Sequence, residues 1–173
     1  MSPVPGVLRR GLLAALVLVV CSGSAPHPRA HRVTPPAGAA GRPQPTLRLE
    51  PLSIQTQNGV VRLQVEIADT ERTREIGLMW RRTVPPFGGM LFDFNPPHPV
   101  AFWMHNTVTS LDMLFIAPDG RIISIARNAR PLDDTPIPSG GVVRGVLEIG
   151  GGRAAQLGIL PGDLVRQRIF TGG

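Results

Sequence analysis

The sequence predicts a mainly β fold: a single compact domain built as a β-sandwich, jelly-roll-like or small barrel. Seven short apolar segments are separated by turn-forming residues, which is the pattern of short strands joined by tight connections. Only one stretch has the apolar spacing of a substantial helix, and it follows the first long strand. A length of 173 residues is typical of one domain, and no internal repeat divides it.

The first strand and the helix are recognised by their contrasting periods. Apolar residues at every second position of 61–67 predict a strand with one buried and one polar face. Asp69-Thr70 predicts a helix cap, and Pro85-Pro86 ends the element. The buried side of this helix is expected to consist of Ile76, Met79 and Trp80.

The other six strands follow in order along the chain. Asn95-Pro96-Pro97 predicts a turn between two of them, and Asp119-Gly120 predicts a tight hairpin. A short helical stretch over 153–157 ends at Gly158. The six strands are predicted over residues 90–94, 100–107, 111–116, 121–126, 142–149 and 164–169.

Residues 1–25 have the order of a secretory signal: Arg9-Arg10, a short apolar run, and then small residues. We therefore expect export to the periplasm or beyond the cell. Cys21 lies where a bacterial lipoprotein carries its lipid, although Val20 occupies a place usually held by a smaller residue. Two outcomes are open: lipidation of Cys21, which would tether the protein to a membrane, and cleavage a few residues later, which would remove it.

Residues 26–45 form a proline-rich linker, and residues 46–173 form the globular domain. The signal and the linker carry five arginines and no acidic residue, which leaves thirteen basic against twelve acidic residues in the domain. A nearly neutral domain has no footprint for phosphate, so we expect no nucleic-acid partner. Because its only cysteine is Cys21, the chain can form no intramolecular disulfide and no cysteine-based zinc site. We predict a monomer without metal or cofactor.

The stretch from Phe102 to Asp112 carries the densest mixture of chemical groups. If 100–107 is a strand, its alternation places Trp103, His105 and Thr107 on one face. Burial of the aromatic ring and bonding of turn backbone are the structural alternatives for these side chains. The ligand-binding candidates are Trp103, His105, Asn106, Thr107 and Asp112, and the catalytic candidates are His105, Asp112 and Glu148.

Several short motifs, taken together and in order, resemble those of the DUF192 family over residues 50–169. The resemblance implies a compact, mainly β, jelly-roll-like domain, often behind a signal sequence, and no established activity. The family usually has Lys where this chain has His105, so a group that titrates near neutrality replaces a fixed charge. The motifs are Gly77-Leu78-Met79, Gly89-Met90-Leu91-Phe92, Phe102-Trp103-Met104, Asn106-Thr107, Leu111-Asp112, Val146-Leu147-Glu148 and Gly162-Asp163.

Two classes of function fit these residues. The favoured class is a non-catalytic binding or accessory module of the cell envelope, because the domain has no nucleophile–base motif and no metal-spaced histidine pair. The alternative is a hydrolase or lyase of envelope carbohydrate that uses Asp112 or Glu148 with His105. In either class we expect a small polar or carbohydrate ligand. Convergence of the three groups in a cleft beside an exposed Trp103 would favour the enzyme.

Overall fold

The structure, a computed structural model, describes residues 41–170. It is a curled seven-stranded sheet, a half-barrel with two short helices, so the predicted mainly β fold is confirmed. The predicted signal sequence, Cys21 and linker residues 26–40 lie outside the described residues. The elements are β1 (Leu49–Thr56), β2 (Gly59–Ala68), α1 (Glu71–Ile76), β3 (Gly88–Phe102), β4 (Leu111–Ile116), β5 (Ile122–Ala129), β6 (Ile137–Gly150), α2 (Arg153–Gln156), β7 (Leu164–Arg166) and a final 3-10 turn (Arg168–Phe170).

The strand order is β5-β4-β6-β3-β2-β1-β7, and β2 with β3 is its one parallel pair. Parallel neighbours cannot be joined by a tight hairpin, so the chain must cross from the end of β2 to the start of β3. This crossover, residues 69–87, contains α1 and lies against one face of the sheet at β3. It positions one side of the candidate site.

Buried side chains occupy both faces of the sheet at its centre. Successive residues of β4 and β6 alternate between two core clusters, because neighbouring side chains of a strand point to opposite faces. The first core cluster contains Leu114 and Leu147; the second contains Met113, Val146 and the crossover residue Leu78. All six residues of β4 are buried for this reason. The candidate site lies on the face of the second core cluster.

The sheet curls until its two edge strands touch. Arg121, just before β5, forms an antiparallel bridge with Leu164 of β7. Beside it, the N–H of Val165 donates to the carbonyl of Gly120 at 2.8 Å. Joining the edges removes part of the unpaired backbone that an open sheet would present.

The sequence prediction and the structure both give seven strands, but the two sets of strands differ in two places. The first is β1, Leu49–Thr56, which is absent from the sequence prediction; Pro51 is tolerated there because β7 pairs only with Ser53–Gln55, farther along. The second is β3, which is one bent strand where two were predicted. A register shift between Asp93 and His98 takes the place of a complete turn.

The predicted strand over 100–107 is wrong beyond Phe102, where β3 ends. An irregular turn follows, and its backbone is bonded to the loop after β5. The N–H of Met104 donates to the carbonyl of Asp133 at 2.9 Å, and the N–H of Leu132 donates to the carbonyl of Thr107 at 3.0 Å. Strand alternation therefore does not decide which of these side chains share a surface.

The helix cap at Thr70 is confirmed, because its hydroxyl accepts the N–H of Thr73 at 3.2 Å. The helix ends earlier than its spacing predicts. Gly77 adopts a positive φ of 50° and Trp80 one of 64°, so the chain leaves the helical path after Ile76. Trp80 and Met79 consequently lie in turns rather than on a helix face.

Candidate functional site

A cavity of about 510 Å³ lies between the crossover and the second-cluster face of the sheet. Crossover residues from Glu71 to Met79 form its roof, and β3 with the start of the following turn forms its wall. Its floor is Glu148 of β6, and we call it the Glu148 cavity. The wall is largely aromatic, with the side chains of Phe92, Phe94, Phe102 and Trp103.

The aromatic wall exists because β3 bends. Ten residues of extended strand span about 33 Å, yet the ring centroids of Phe92 and Phe102 are only 5.0 Å apart, edge to face. Phe94 lies 6.2 Å from Phe102 in a similar arrangement. The bend at the register shift between Asp93 and His98 thus gathers three rings into one concave surface.

Glu148 is the unusual residue of the cavity. It is 4% exposed and is flanked in the sheet by Met90 and Met113. Its carboxyl group has no hydrogen bond or ion pair with any residue that the structure describes. Burial raises its pKa from 4.5 to about 8, so the group is mostly protonated at neutral pH. Buried polar groups normally have partners, and one that lacks them at a cavity marks a candidate functional site.

Arg74 and His98 line the cavity and contact backbone carbonyls. The guanidinium of Arg74 donates to the carbonyls of Asp69 and Asp93, each at 2.9 Å, and lies 5.5 Å from the centre of the Phe94 ring. Nδ1 of His98 is 2.8 Å from the carbonyl oxygen of Pro96. These contacts hold the bend of β3 against α1.

Trp103 and His105 both line the cavity, with ring centroids 6.3 Å apart. Trp103 is half-buried, so it belongs to the wall. The side chain of His105 is 38% exposed, and its Nδ1 lies 2.8 Å from Oδ1 of Asp134. His105 is therefore a residue of the cavity rim.

Asp112 lies away from the cavity. It is fully buried, and its carboxylate accepts backbone N–H groups from Asn128 at 2.7 Å, Gly152 at 3.0 Å and Ala154 at 2.8 Å. Its strand neighbour Met113 is the residue that pairs with Glu148. Asp112 and Glu148 consequently point to opposite faces of the sheet.

Asn106 and Thr107 fasten the turn after β3. Asn106 has a positive φ of 55°, and its carbonyl accepts the N–H of Trp80 at 2.9 Å. Thr107 is buried, and its hydroxyl donates to the carbonyl of His105 at 3.3 Å. Thr107 also lines the cavity, whereas Asn106 does not.

The structure therefore brings together four of the candidates, namely Trp103, His105, Thr107 and Glu148, and leaves Asp112 and Asn106 outside. The sequence did not predict that the roof residues and the phenylalanines of the wall would line a cavity, because apolar side chains in such elements usually belong to the core. One local signal did exist: a glutamate at position 148 interrupts the apolar run Val146–Ile149.

A wider hollow lies beside Trp80 and the last linker residues, with a volume of about 1030 Å³. Two arginines line it, Arg81 and Arg82, and Arg81 binds both oxygens of Glu66, at 2.6 and 2.8 Å. We place the candidate site at the Glu148 cavity because the carboxyl there is still without a partner.

Within residues 41–170, no helix is long and apolar enough to cross a membrane. In the same part of the chain, no three His, Cys, Asp or Glu side chains converge where they could hold a metal ion.

Comparison with known families gives a match to DUF192, described as "Uncharacterized ACR", over residues 53–167. The chain belongs to the DUF192 family. The match contains β2 to β6 entire and, with them, every residue of the Glu148 cavity. The cavity is thus part of the DUF192 domain rather than of an appended segment.

Two solved structures are similar to this DUF192 chain, each 42% identical with a TM-score of 0.70. One is a "putative transcription regulator" from Sinorhizobium meliloti 1021, and the alignment covers 73% of this chain and 98% of that one. The other is a protein of unknown function from Novosphingobium aromaticivorans DSM 12444, with coverage of 75% and 94%. No curated protein matches the chain.

Proposed function

We propose that this DUF192 domain is a non-catalytic binding module of the cell envelope, which holds a small ligand in the Glu148 cavity. The observation that carries the proposal is the buried, partnerless carboxyl at the floor of that cavity. Burying such a group lowers the stability of the fold unless a ligand completes its hydrogen bonding. Small-molecule sites typically combine apolar walls with a few polar groups of this kind.

The lining favours a ligand with an apolar body and one polar group. Three phenylalanine rings and Trp103 face it, whereas a carbohydrate would need many polar partners. The size of the cavity, about 510 Å³, suits a molecule of one or two rings. The cavity lining therefore favours a more apolar ligand than the small polar or carbohydrate ligand that the sequence predicts.

Binding without catalysis is favoured by the position of Asp112. The alternative hydrolase or lyase would use Asp112 or Glu148 with His105. Asp112 instead lies on the opposite face with three backbone partners, and His105 is bonded to Asp134 at the rim. Glu148 is left as a single buried carboxyl, which is suited to recognition.

The location in the envelope is proposed from the N-terminal sequence. Arg9-Arg10 and the apolar run that follows support export, and the proline-rich linker would hold the domain away from a membrane if Cys21 carried a lipid. The N-terminal residue and mass of the mature protein distinguish the lipid-anchored form from the form cleaved after Cys21.

The cavity is tested by filling it. Val100 lines the cavity, and Val142 on the neighbouring strand is exposed and lies outside the lining, so Val100→Trp and Val142→Trp form a matched pair. We expect the neutral fluorescent probe N-phenyl-1-naphthylamine to bind the full chain and the Val142→Trp variant alike. Val100→Trp should weaken binding by about tenfold or more, because the indole occupies the same volume.

Thermal unfolding of both variants provides the control for folding. Equal binding of the probe by the two variants would show that the Glu148 cavity is not the binding site, and no binding by the unmodified chain would remove the proposal.

A further inference from the structure

We infer that the Glu148 cavity selects a small organic cation, a protonated amine or a quaternary ammonium group on an apolar body. The inference rests on the proposed function and adds the chemical class of the ligand. Two features carry it: the aromatic wall and the acidic balance of the charged lining.

The wall supplies the surfaces that organic cations prefer. A cation within about 6 Å of an aromatic ring is attracted by the negative charge above the ring face, most strongly for Trp. Trp103 and three phenylalanines line the same cavity as Glu148.

The charged lining is acidic. It contains three carboxyl groups, from Glu71, Glu75 and Glu148, against one guanidinium, that of Arg74. The guanidinium already donates to two carbonyls and lies over Phe94. An anion entering the cavity would therefore meet three carboxyl groups and a single guanidinium, whereas a cation would find a carboxyl partner in Glu148.

The charge state of Glu148 couples binding to protons. The free carboxyl is mostly protonated at pH 7, because burial raises its pKa to about 8. A bound cation stabilises the carboxylate, so the carboxyl proton leaves to solvent and an ion pair forms in its place. Affinity for a cation should then rise with pH up to about 8 and level off above it. A neutral acceptor, which takes a hydrogen bond from the protonated carboxyl, would show the opposite dependence.

Other groups that titrate face the cavity and must be separated from Glu148. These are Glu71, Glu75, Arg74 and His98, with His105 on the turn after β3. The strand neighbours Met90 and Met113 do not titrate, and Glu66, one strand farther away, is paired with Arg81. A variant at position 148 isolates its contribution, because the remaining groups are unchanged.

The experiment compares three probes by titration calorimetry on the full chain: benzyltrimethylammonium, 2-phenylethanol and phenylacetate. The ammonium charge does not titrate, so any pH dependence belongs to the protein. We expect the cation to bind at least about tenfold more tightly than either other probe at pH 8.5, and its affinity to fall by up to about tenfold per pH unit below pH 8. Titrations in two buffers of different ionisation enthalpy should show proton release at pH 7.

Glu148→Gln should lose both the preference for the cation and the proton release. Asp119→Asn, which removes an exposed carboxylate in a turn outside the cavity lining, should keep both, because solvent and salt screen that charge. Equal or tighter binding of 2-phenylethanol or phenylacetate would overturn the cation inference. The proposed function would still stand if N-phenyl-1-naphthylamine binds and the Val100→Trp substitution abolishes that binding. If that probe also fails to bind, both are overturned.

Discussion

At the scale of single residues, Glu148 gives the candidate site its carboxyl group but lowers the stability of the fold. Its neighbours in the sheet are methionines, and nothing in the described part of the chain compensates the loss of its hydration. A leucine would pack there without such a loss. The carboxyl can be explained by what enters the cavity rather than by what holds the sheet together.

The raised pKa of Glu148 predicts how stability depends on pH. Between pH 4.5, the ordinary value, and about 8, the unfolded chain has lost a proton that the folded chain keeps. Raising the pH therefore favours unfolding, by about 1.4 kcal/mol per pH unit and roughly 5 kcal/mol over the whole window. Below this window the group has no effect, and above it the loss is constant.

Glu148→Gln should remove this dependence. Urea unfolding at pH 5, 6, 7 and 8 should show the variant gaining stability relative to the unmodified protein at each step. The difference between the two proteins isolates position 148, since every other titrating group is common to both. Parallel curves would mean that Glu148 is not buried as a neutral acid.

At the scale of elements, Asp112 joins β4 to two other parts of the fold. One carboxylate oxygen accepts N–H groups from Asn128 of β5 and from Gly152 before α2, and the other accepts the N–H of Ala154 inside α2. A helix of only four residues contributes little stability by itself, so this carboxylate fixes its position.

Asp112→Asn should destabilise the protein by about 2–3 kcal/mol, because the amide NH₂ would face a backbone N–H and leave that donor unsatisfied. The matched control is Asp134→Asn on the exposed rim, for which we expect a change within about 0.5 kcal/mol. Urea unfolding measures both changes. Unaltered stability of the Asp112 variant would contradict a structural role for this residue.

Elements whose cause is local could be predicted from the sequence, and the others could not. The Thr70 cap and the Asp119-Gly120 turn depend on neighbouring residues, and both occur where expected. The bend of β3 falls at the predicted turn Asn95-Pro96-Pro97, but pairing with β6 continues on both sides of it, and β6 lies more than forty residues farther along the chain. The strand predicted beyond Phe102 failed for the same reason, since the contacts of the loop after β5 replace it. Trp103, His105 and Thr107 nevertheless line one cavity, as their assignment to one face predicted.

At the scale of the whole molecule, closure of the sheet depends on a close backbone approach at Gly120. Its φ is 85°, and a Cβ there would lie 2.6 Å from the carbonyl oxygen of Val165 on the opposite edge strand. Gly162, in a nearby turn, has a similar φ of 97° but open space around it. The two glycines therefore separate the effect of closure from the effect of backbone conformation.

Gly162→Ala should lower the free energy of unfolding by about 1 kcal/mol, which is the strain of a left-handed residue with a Cβ. Gly120→Ala should lower it by at least about 3 kcal/mol, because the methyl group also pushes the edge strands apart. Thermal and urea unfolding check both values. Equal losses would show that contact between the edges contributes nothing to stability.

The Glu148 cavity is also a property of the whole molecule, and this is why sequence reasoning found only part of it. Its roof, wall and floor come from residues 71–79, from β3 with the turn after it, and from β6. No local spacing relates these segments. Position 148 could be suspected from its apolar surroundings, but its isolation from Asp112 became visible only through the pairing of β4 with β6.

The cavity is lined partly by strands and partly by the crossover between β2 and β3, and these two parts tolerate amino-acid substitution to different degrees. Substitutions in the floor and wall would disturb strand pairing and the second core cluster together. The roof belongs to a connection, and connections accept sequence change more readily than the strands they join. Variation at the exposed and half-buried roof residues 71–75 can therefore change what the cavity accepts, while Glu148 and the buried roof residues 76–79 stay in place.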